Sequence, residues 1–326
     1  MPTKMVDRKQ SQLPAANVLE AALRDRIQSI TYLPTTALVA LKFMELGRDP
    51  ESGPREYAKV MASDASLSSK LLALANSSWF GVRQRVTKIP MAISLLGLCN
   101  VRALALSYCM TGLHHELNLT REESLGYWQA GLCKAVTARR FVQLIEPSMA
   151  EVAFAAGIFQ DFALTVMHAV DEGQTATVLA DPVMTPSRRL ANERERFGMD
   201  HAAAGRLLGQ KLDLPETYID AIAFHHDSDS LHKFCESEAF ADAVYVAGLM
   251  PHGRACWHVE DIRRGQELFE KRLPNFVGGW DAFLSEVQKE FDELFSYFQN
   301  GQVCNLKLKE MVSEATKKIA DTTCSS

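Results

Sequence analysis

Apolar residues along this chain recur three and four apart from one end to the other and almost nowhere alternate, so the pattern predicts helices throughout. Leu19, Leu23, Ile27 and Ile30 make a first stripe, closed by Leu33-Pro34; a second helix is expected over 36–46, ended by Gly47 and Asp49-Pro50. A short helix over 55–61 precedes one capped by Asp64 that carries Leu67, Leu71 and Leu74 on one face. That helix runs out at Ser77-Ser78-Trp79-Phe80-Gly81, where Trp79-Phe80 reads as a hydrophobic plug at a helix end. Ile89-Pro90 opens the next helix, with Ile93 and Leu96 inward, and 101–110 continues in the same style.

Thr120 is expected to cap the next part of the chain, in which two core helices run over 125–144 and 149–170. Residues 180–187 read as a loop and 186–226 as a helical hairpin punctuated by Gly198 and by Leu214-Pro215. After His226 the run Asp227-Ser228-Asp229-Ser230 is expected to be a solvated linker before a helix over 240–250. Two longer helices close the chain, with Val287, Phe291, Leu294 and Phe298 on one stripe and Leu308, Met311, Ala315 and Ile319 on the other. Stripes of this kind are core or packing seams more often than partner-binding faces. Large aromatics on them imply that the end of the chain packs on the body rather than trailing free.

The stretch that begins after Pro147 stands apart. Apolar residues at 152, 155, 159, 163, 166 and 170 make one face, and Ala153, Ala156, Leu164 and Met167 make the opposite face apolar too, so the helix is buried all round. Asp161 at its centre therefore needs a cause, because a buried carboxylate is costly unless it is paired, hydrogen-bonded or metal-bound. Two further polar intrusions follow: Asp200-His201 at a helix start and His225-His226 at a helix end.

Composition narrows the class. The 326 residues are 47% hydrophobic with a formal net charge of −5, enough for a substantial core and without the basic excess that nucleic acid or anionic membrane binding needs. The first sixteen residues are polar and mixed in charge, unlike a signal peptide, and are expected to be disordered. Seven scattered cysteines, never in a C-x-x-C pair, suit a reduced cytoplasmic protein. His252, Cys256 and His258 could offer three zinc ligands, but no fourth follows at finger spacing, and a surface loop is the better reading.

Several separate stretches, in order and at sensible spacing over about residues 24–228, resemble one family. They include Leu33-Pro34, Asp49-Pro50, Ser63-Asp64 with Leu67, Leu74-Ala75-Asn76-Ser77-Ser78-Trp79-Phe80-Gly81 and Ala92-Ile93 through Leu98. Ala156-Gly157 with Gln160-Asp161 follows, then Phe197-Gly198 with Asp200-His201 and Gly205, Leu214-Pro215, and Ala221-Ile222 ahead of His225-His226. The pattern resembles the HD superfamily, and within it the HDOD domain, the HD-related output domain of bacterial signalling proteins.

The resemblance implies an all-α, multi-helix bundle of HD-superfamily type: an N-terminal helical lobe over about 17–117, an HD-like lobe over about 120–228, and a C-terminal helical extension over 229–326. In the superfamily a His-Asp doublet and outlying histidines bind divalent metal for phosphohydrolase chemistry. Here the doublet is Gln160-Asp161, and the first histidine would fall at or beside Ala130, with no histidine between His115 and His168. Ala163 and Leu164 replace the glycine and basic residue that usually follow, and the Gly-Tyr-Pro signature of the cyclic-di-GMP phosphodiesterase branch is absent. The implied pocket is vestigial, formed by Ala130, Gln160, Asp161, His201, His225 and His226, with no catalytic residue and no cofactor. Any metal would have to be held by Asp161, His201, His225 and His226.

Three readings of function follow. The first is a non-catalytic regulatory protein working through contacts with other signalling proteins, with or without a small ligand, and able to dimerise through its C-terminal helices. The second is a metal-dependent phosphohydrolase with an atypical HD site. The third, a nucleic-acid-binding regulator with a hidden helix-turn-helix, is opposed by the acidic charge balance.

Overall fold

The computed structural model describes residues 16–30, 51–76, 84–171, 185–252, 257–298 and 306–323 together with scattered positions between them, and among these every regular element is helical. Residues 1–15, most of the expected 36–46 helix, the Trp79-Phe80 plug and Cys256 lie outside the described residues.

The N-terminal part comprises α1 (Ala16–Ser29), α2 (Pro54–Met61), α3 (Ala65–Ala75), α4 (Ile89–Leu96) and α5 (Leu98–Glu116). Leu19, Leu23, Ile27 and Ile30 are all buried, as their spacing requires. Asp64 caps α3 by accepting from the Leu67 amide at 2.9 Å.

The second part comprises α6 (Arg121–Gln143), α7 (Ala150–Phe159), α8 (Phe162–Val170), α9 (Pro186–Phe197), α10 (His201–Lys211) and α11 (Glu216–Phe224). Thr120 and Glu123 form a capping box at the start of α6, which begins four residues earlier than the apolar pattern suggested. Pro186 and Ser187, where the expected loop and the expected hairpin overlapped, belong to the hairpin and open α9: Thr185 caps it, and proline is suited to the first helical position.

Helices α6 and α7 pack backbone to backbone. A methyl group at Gly157 would sit 2.5 Å from the Ala135 Cα, so only glycine permits this approach. The helix expected to run unbroken over 149–170 is interrupted at Gln160-Asp161, which separate α7 from α8. Asp161 (φ −107°, ψ 11°) leaves the helical region and stands at the N-cap position of α8, yet its side chain makes no capping hydrogen bond. Its oxygens are engaged elsewhere. Pro147–Val170 is apolar enough by length and composition to cross a membrane, but 94% of its most apolar window is buried within the helical body.

The extension comprises α12 (Ser228–Phe234), α13 (Glu238–Gly248), α14 (Val259–Arg272), α15 (Gly279–Phe298) and α16 (Leu308–Thr323). The expected linker at 227–230 is instead a helix start, because Asp227 accepts from the Ser230 amide and hydroxyl. Helix α13 lies against α6 and α7, and α15 lies along α6. Phe141 of α6 meets Phe269 and Phe283 with ring centroids 6.1 and 6.2 Å apart, and Trp128 meets Phe295 at 5.4 Å. Val287, Phe291 and Leu294 are buried as their stripe predicts; the Phe298 side chain is outside the described set. Arg139 and Arg140 of α6 pair with Glu290 and Glu286 of α15.

Candidate functional site

The α7–α8 break, the start of α10 and the end of α11 meet at one buried polar cluster. Asp200 caps α10 through the Ala203 amide at 2.9 Å, and this sets His201 in the first turn. His225 is the C-cap residue of α11, with His226 directly after it. Their rings converge on His201, with centroids 5.2 Å away for His225 and 4.9 Å for His226.

The second ring nitrogens decide the chemistry. His201 Nδ1 lies 2.7 Å from Glu193 Oε2, a carboxylate that also takes the His201 amide at 2.9 Å. A carboxylate only accepts, so Nδ1 carries a proton, and in the neutral ring Nε2 presents its lone pair. His225 Nδ1 likewise donates to the Ile222 carbonyl at 2.7 Å. The two Nε2 lone pairs then face each other at 3.2 Å, and His226 Nε2 stands 2.9 Å from that of His201. Among the described residues nothing fixes the tautomer of His226.

Asp161 completes the set. Its Oδ1 is 3.5 Å from both His201 Nε2 and His225 Nε2. Its Oδ2 is held by the Lys134 ammonium from α6 and by His252 Nδ1 at 2.9 Å. Burial would push the Asp161 carboxyl up, but Lys134 first, then His252 and His225, outweigh it and hold the group well below the usual carboxylate range. Lys134, which has no solvent exposure, is pulled below the usual lysine range by burial, an effect that Asp161 opposes. Burial also depresses His225, His226 and His252, and the neighbouring histidines and cations Arg189 and Lys134 add to this. These imidazoles are therefore neutral at ordinary pH, the form that ligates metal.

Three of these donors, His201, His225 and His226, stand close enough together to share a single transition-metal ion. A tetrahedral ion with bonds of about 2.0–2.1 Å spaces its ligand atoms about 3.3 Å apart. The Nε2 contacts of His201 with His226 and His225 are 2.9 and 3.2 Å, and Asp161 Oδ1 stands 3.5 Å from His201 and His225 beside this trio. Glu193, the Ile222 carbonyl, Lys134 and His252 supply the outer contacts that orient such ligands.

Of the residues singled out in the sequence, Asp161, His201, His225 and His226 are brought together. Gln160 is fully buried and donates to the Val244 carbonyl of α13 at 2.7 Å. Ala130 is buried on α6 one turn before Lys134. The suggested set of His252, Cys256 and His258 is divided: His252 serves Asp161, while His258 caps α14 through the Glu260 amide. Lys134 and Glu193 were not anticipated, and His252 had been singled out only for a set with Cys256 and His258. Lys134 carried a signal, since Leu132, Cys133, Ala135 and Val136 surround it with the same all-round apolar pattern that marked Asp161.

Residues 33–228 match the HDOD domain family. The chain belongs to that family. An uncharacterized protein of Treponema pallidum (strain Nichols) is 26% identical over 223 residues, which are 64% of this chain and 40% of that protein, so the chain spans well under half of its relative's length. The crystal structure of an HDOD domain protein of unknown function from Geobacter sulfurreducens superposes with a TM-score of 0.59 at 19% identity, covering 86% of this chain and 97% of that one. A Marinobacter aquaeolei VT8 structure, named as a candidate signal transduction protein, gives 0.52 at 18% identity over 94% of this chain and 66% of its own. One from Shewanella amazonensis SB2B, named as a candidate phosphohydrolase, gives 0.51 at 18% over 91% and 94%. At these identities the likeness is one of fold, and it confirms the all-helical HDOD architecture.

Proposed function

We propose that this HDOD protein is a non-hydrolytic regulator that acts through contacts with other signalling proteins. The observation that carries this reading is the Lys134–Asp161 ion pair: a wholly buried ammonium occupies one oxygen of the carboxylate, leaving only Oδ1 for a metal. A hydrolytic metal site needs an open position at which water is bound and activated. His201, His225 and His226 would hold an ion and Asp161 Oδ1 faces two of them, while the ammonium on Oδ2 keeps that carboxylate from serving as the base for a bound water. The signalling name borne by the Marinobacter neighbour agrees with this reading, and the phosphohydrolase name borne by the Shewanella neighbour supports the alternative.

The convergence of Nε2 lone pairs favours a second element of the reading, a single ion such as Zn²⁺ held without turnover. Its role when bound would be to tie α8, α10 and α11 together. The test is to assay the purified chain for hydrolysis of phosphodiesters and nucleotides with Mg²⁺, Mn²⁺, Fe²⁺ and Zn²⁺ supplied in turn, alongside elemental analysis. No turnover is expected with any of them. Turnover abolished by Asp161→Asn would overturn the regulatory reading.

A further inference from the structure

The family match ends at residue 228, yet the pocket does not. Three residues of the extension reach it from α13 and its exit, at spacings of four. The Val244 carbonyl accepts from Gln160 Nε2 at 2.7 Å. Gly248 lies so close to His225 that a methyl group there would be 2.6 Å from the His225 carbonyl oxygen and 3.3 Å from its ring. His252 Nδ1 holds Asp161 Oδ2 at 2.9 Å. Both residues at the α7–α8 break, and the histidine that ends α11, are thus in register with a single stripe, 244, 248 and 252.

We infer that this stripe couples occupancy of the pocket to docking of the C-terminal extension, with His252 as the positioning residue. The inference rests on the single-ion reading above. His252 and Lys134 fix one oxygen of Asp161, which aims the other at His201 and His225. An ion bound there draws on that orientation and so favours the docked extension. Linkage is reciprocal, so whatever undocks the extension weakens the ion by the same factor. The pocket then needs no chemistry to signal, because its output is the stability of α13 to α15 against the body. Gly248 is the mechanical part of the device, since any side chain there levers α13 away from His225.

The test uses the full chain and zinc chloride alone, with affinity read by competition against a chromophoric chelator and docking by amide hydrogen exchange. In the wild type, zinc should slow exchange over 238–298 more than over 54–96; equal slowing of both regions would mark general stabilisation and overturn the coupling. His252→Leu should weaken zinc by about tenfold or more and abolish the selective protection. His252→Asn, which keeps a donor near the position of Nδ1, should restore both. Gly248→Ala replaces no ligand but presses on the backbone and ring of His225, and should reduce both together. Zinc bound as tightly by His252→Leu as by the wild type would overturn this inference and leave the single-ion site standing. Failure of the wild type to take up zinc would remove the site and the coupling together.

Discussion

Lys134 and Asp161 form an ion pair inside the fold, the ammonium wholly shielded from solvent and the carboxylate nearly so. Neither charge could stay there alone. Asp161→Leu and Asp161→Ala each orphan Lys134, so both should cost about 3–5 kcal/mol, whatever the packing of the new side chain. Lys134→Met combined with Asp161→Leu should cost far less than the sum of the single changes, because no charge is left behind. Denaturant melts of the four proteins close the cycle; additive losses would show that the two groups do not interact.

The clamp between α6 and α15 contains an inner and an outer pair. Arg139 is 1% exposed, whereas Arg140 and Glu286 are 31% and 41% exposed. Glu290→Ala should therefore destabilise by about 2–3 kcal/mol, toward the lower bound for a buried pair because Glu290 is partly open. Glu286→Ala should cost under about 1 kcal/mol. Equal losses in urea would mean that solvent screens both pairs alike.

Two glycines of the core helices should respond oppositely to alanine. At Gly157 the new methyl meets the Ala135 backbone, which cannot give way, and a loss of about 1–3 kcal/mol is expected. At Gly126, inside α6 with nothing within 4 Å, the same change should stabilise by about 0.5–1 kcal/mol. Thermal melts of the two variants on one buffer decide the matter.

Acid should loosen the protein from about pH 6.5 downward, starting above the range of ordinary carboxylates. Burial lowers His114 to about 4 and holds His225, His226 and His252 below the ordinary imidazole range. A histidine depressed by folding contributes stability that is complete above about 6.5 and lost as pH falls toward its folded value. Asp261, raised by burial to about 6, acts in the opposite sense, its contribution fading as pH rises through that value. Four imidazoles outweigh one carboxyl, so stability should be flat above about pH 7 and decline from about 6.5 to 4. His114 alone accounts for roughly 3 kcal/mol of the decline, and His114→Gln should flatten the curve by that amount. Urea midpoints that are level from pH 7.5 to 5 would contradict this.

The helices and their caps were legible because each is local: Asp64, Thr120 and Asp200 cap where the sequence places them, and the Leu19 stripe is buried along its length. The site was half legible. Asp161 announced itself as a charge in an apolar helix, and the histidines as polar intrusions near helix ends. Lys134 stood out in the same way, but its meeting with Asp161 and His252 did not, because Lys134 sits on another helix and His252 beyond the end of α13, and only packing through Gly157 and Gly248 brings them to the carboxylate. Glu193 lay within the charged run Glu193-Arg194-Glu195-Arg196, where nothing distinguishes the one acid that turns inward. Counting family ligands along the sequence, with Gln160 and Ala130 as gaps, also hid a tautomer argument that needs the positions of both nitrogens of each ring.

The apolar run Pro147–Val170 has a consequence for the life of the chain before it is folded. While it is being made, this stretch leaves the ribosome with the hydropathy of a membrane span, and α13, which helps to cover it, is still some seventy residues from being synthesised. Until α6 has closed on α7, the nascent protein displays a segment that chaperones, membranes and other unfinished copies would all bind. Substitutions that loosen the α6–α7 seam should therefore appear in cells first as insoluble or degraded protein, at a cost in abundance larger than their equilibrium destabilisation suggests.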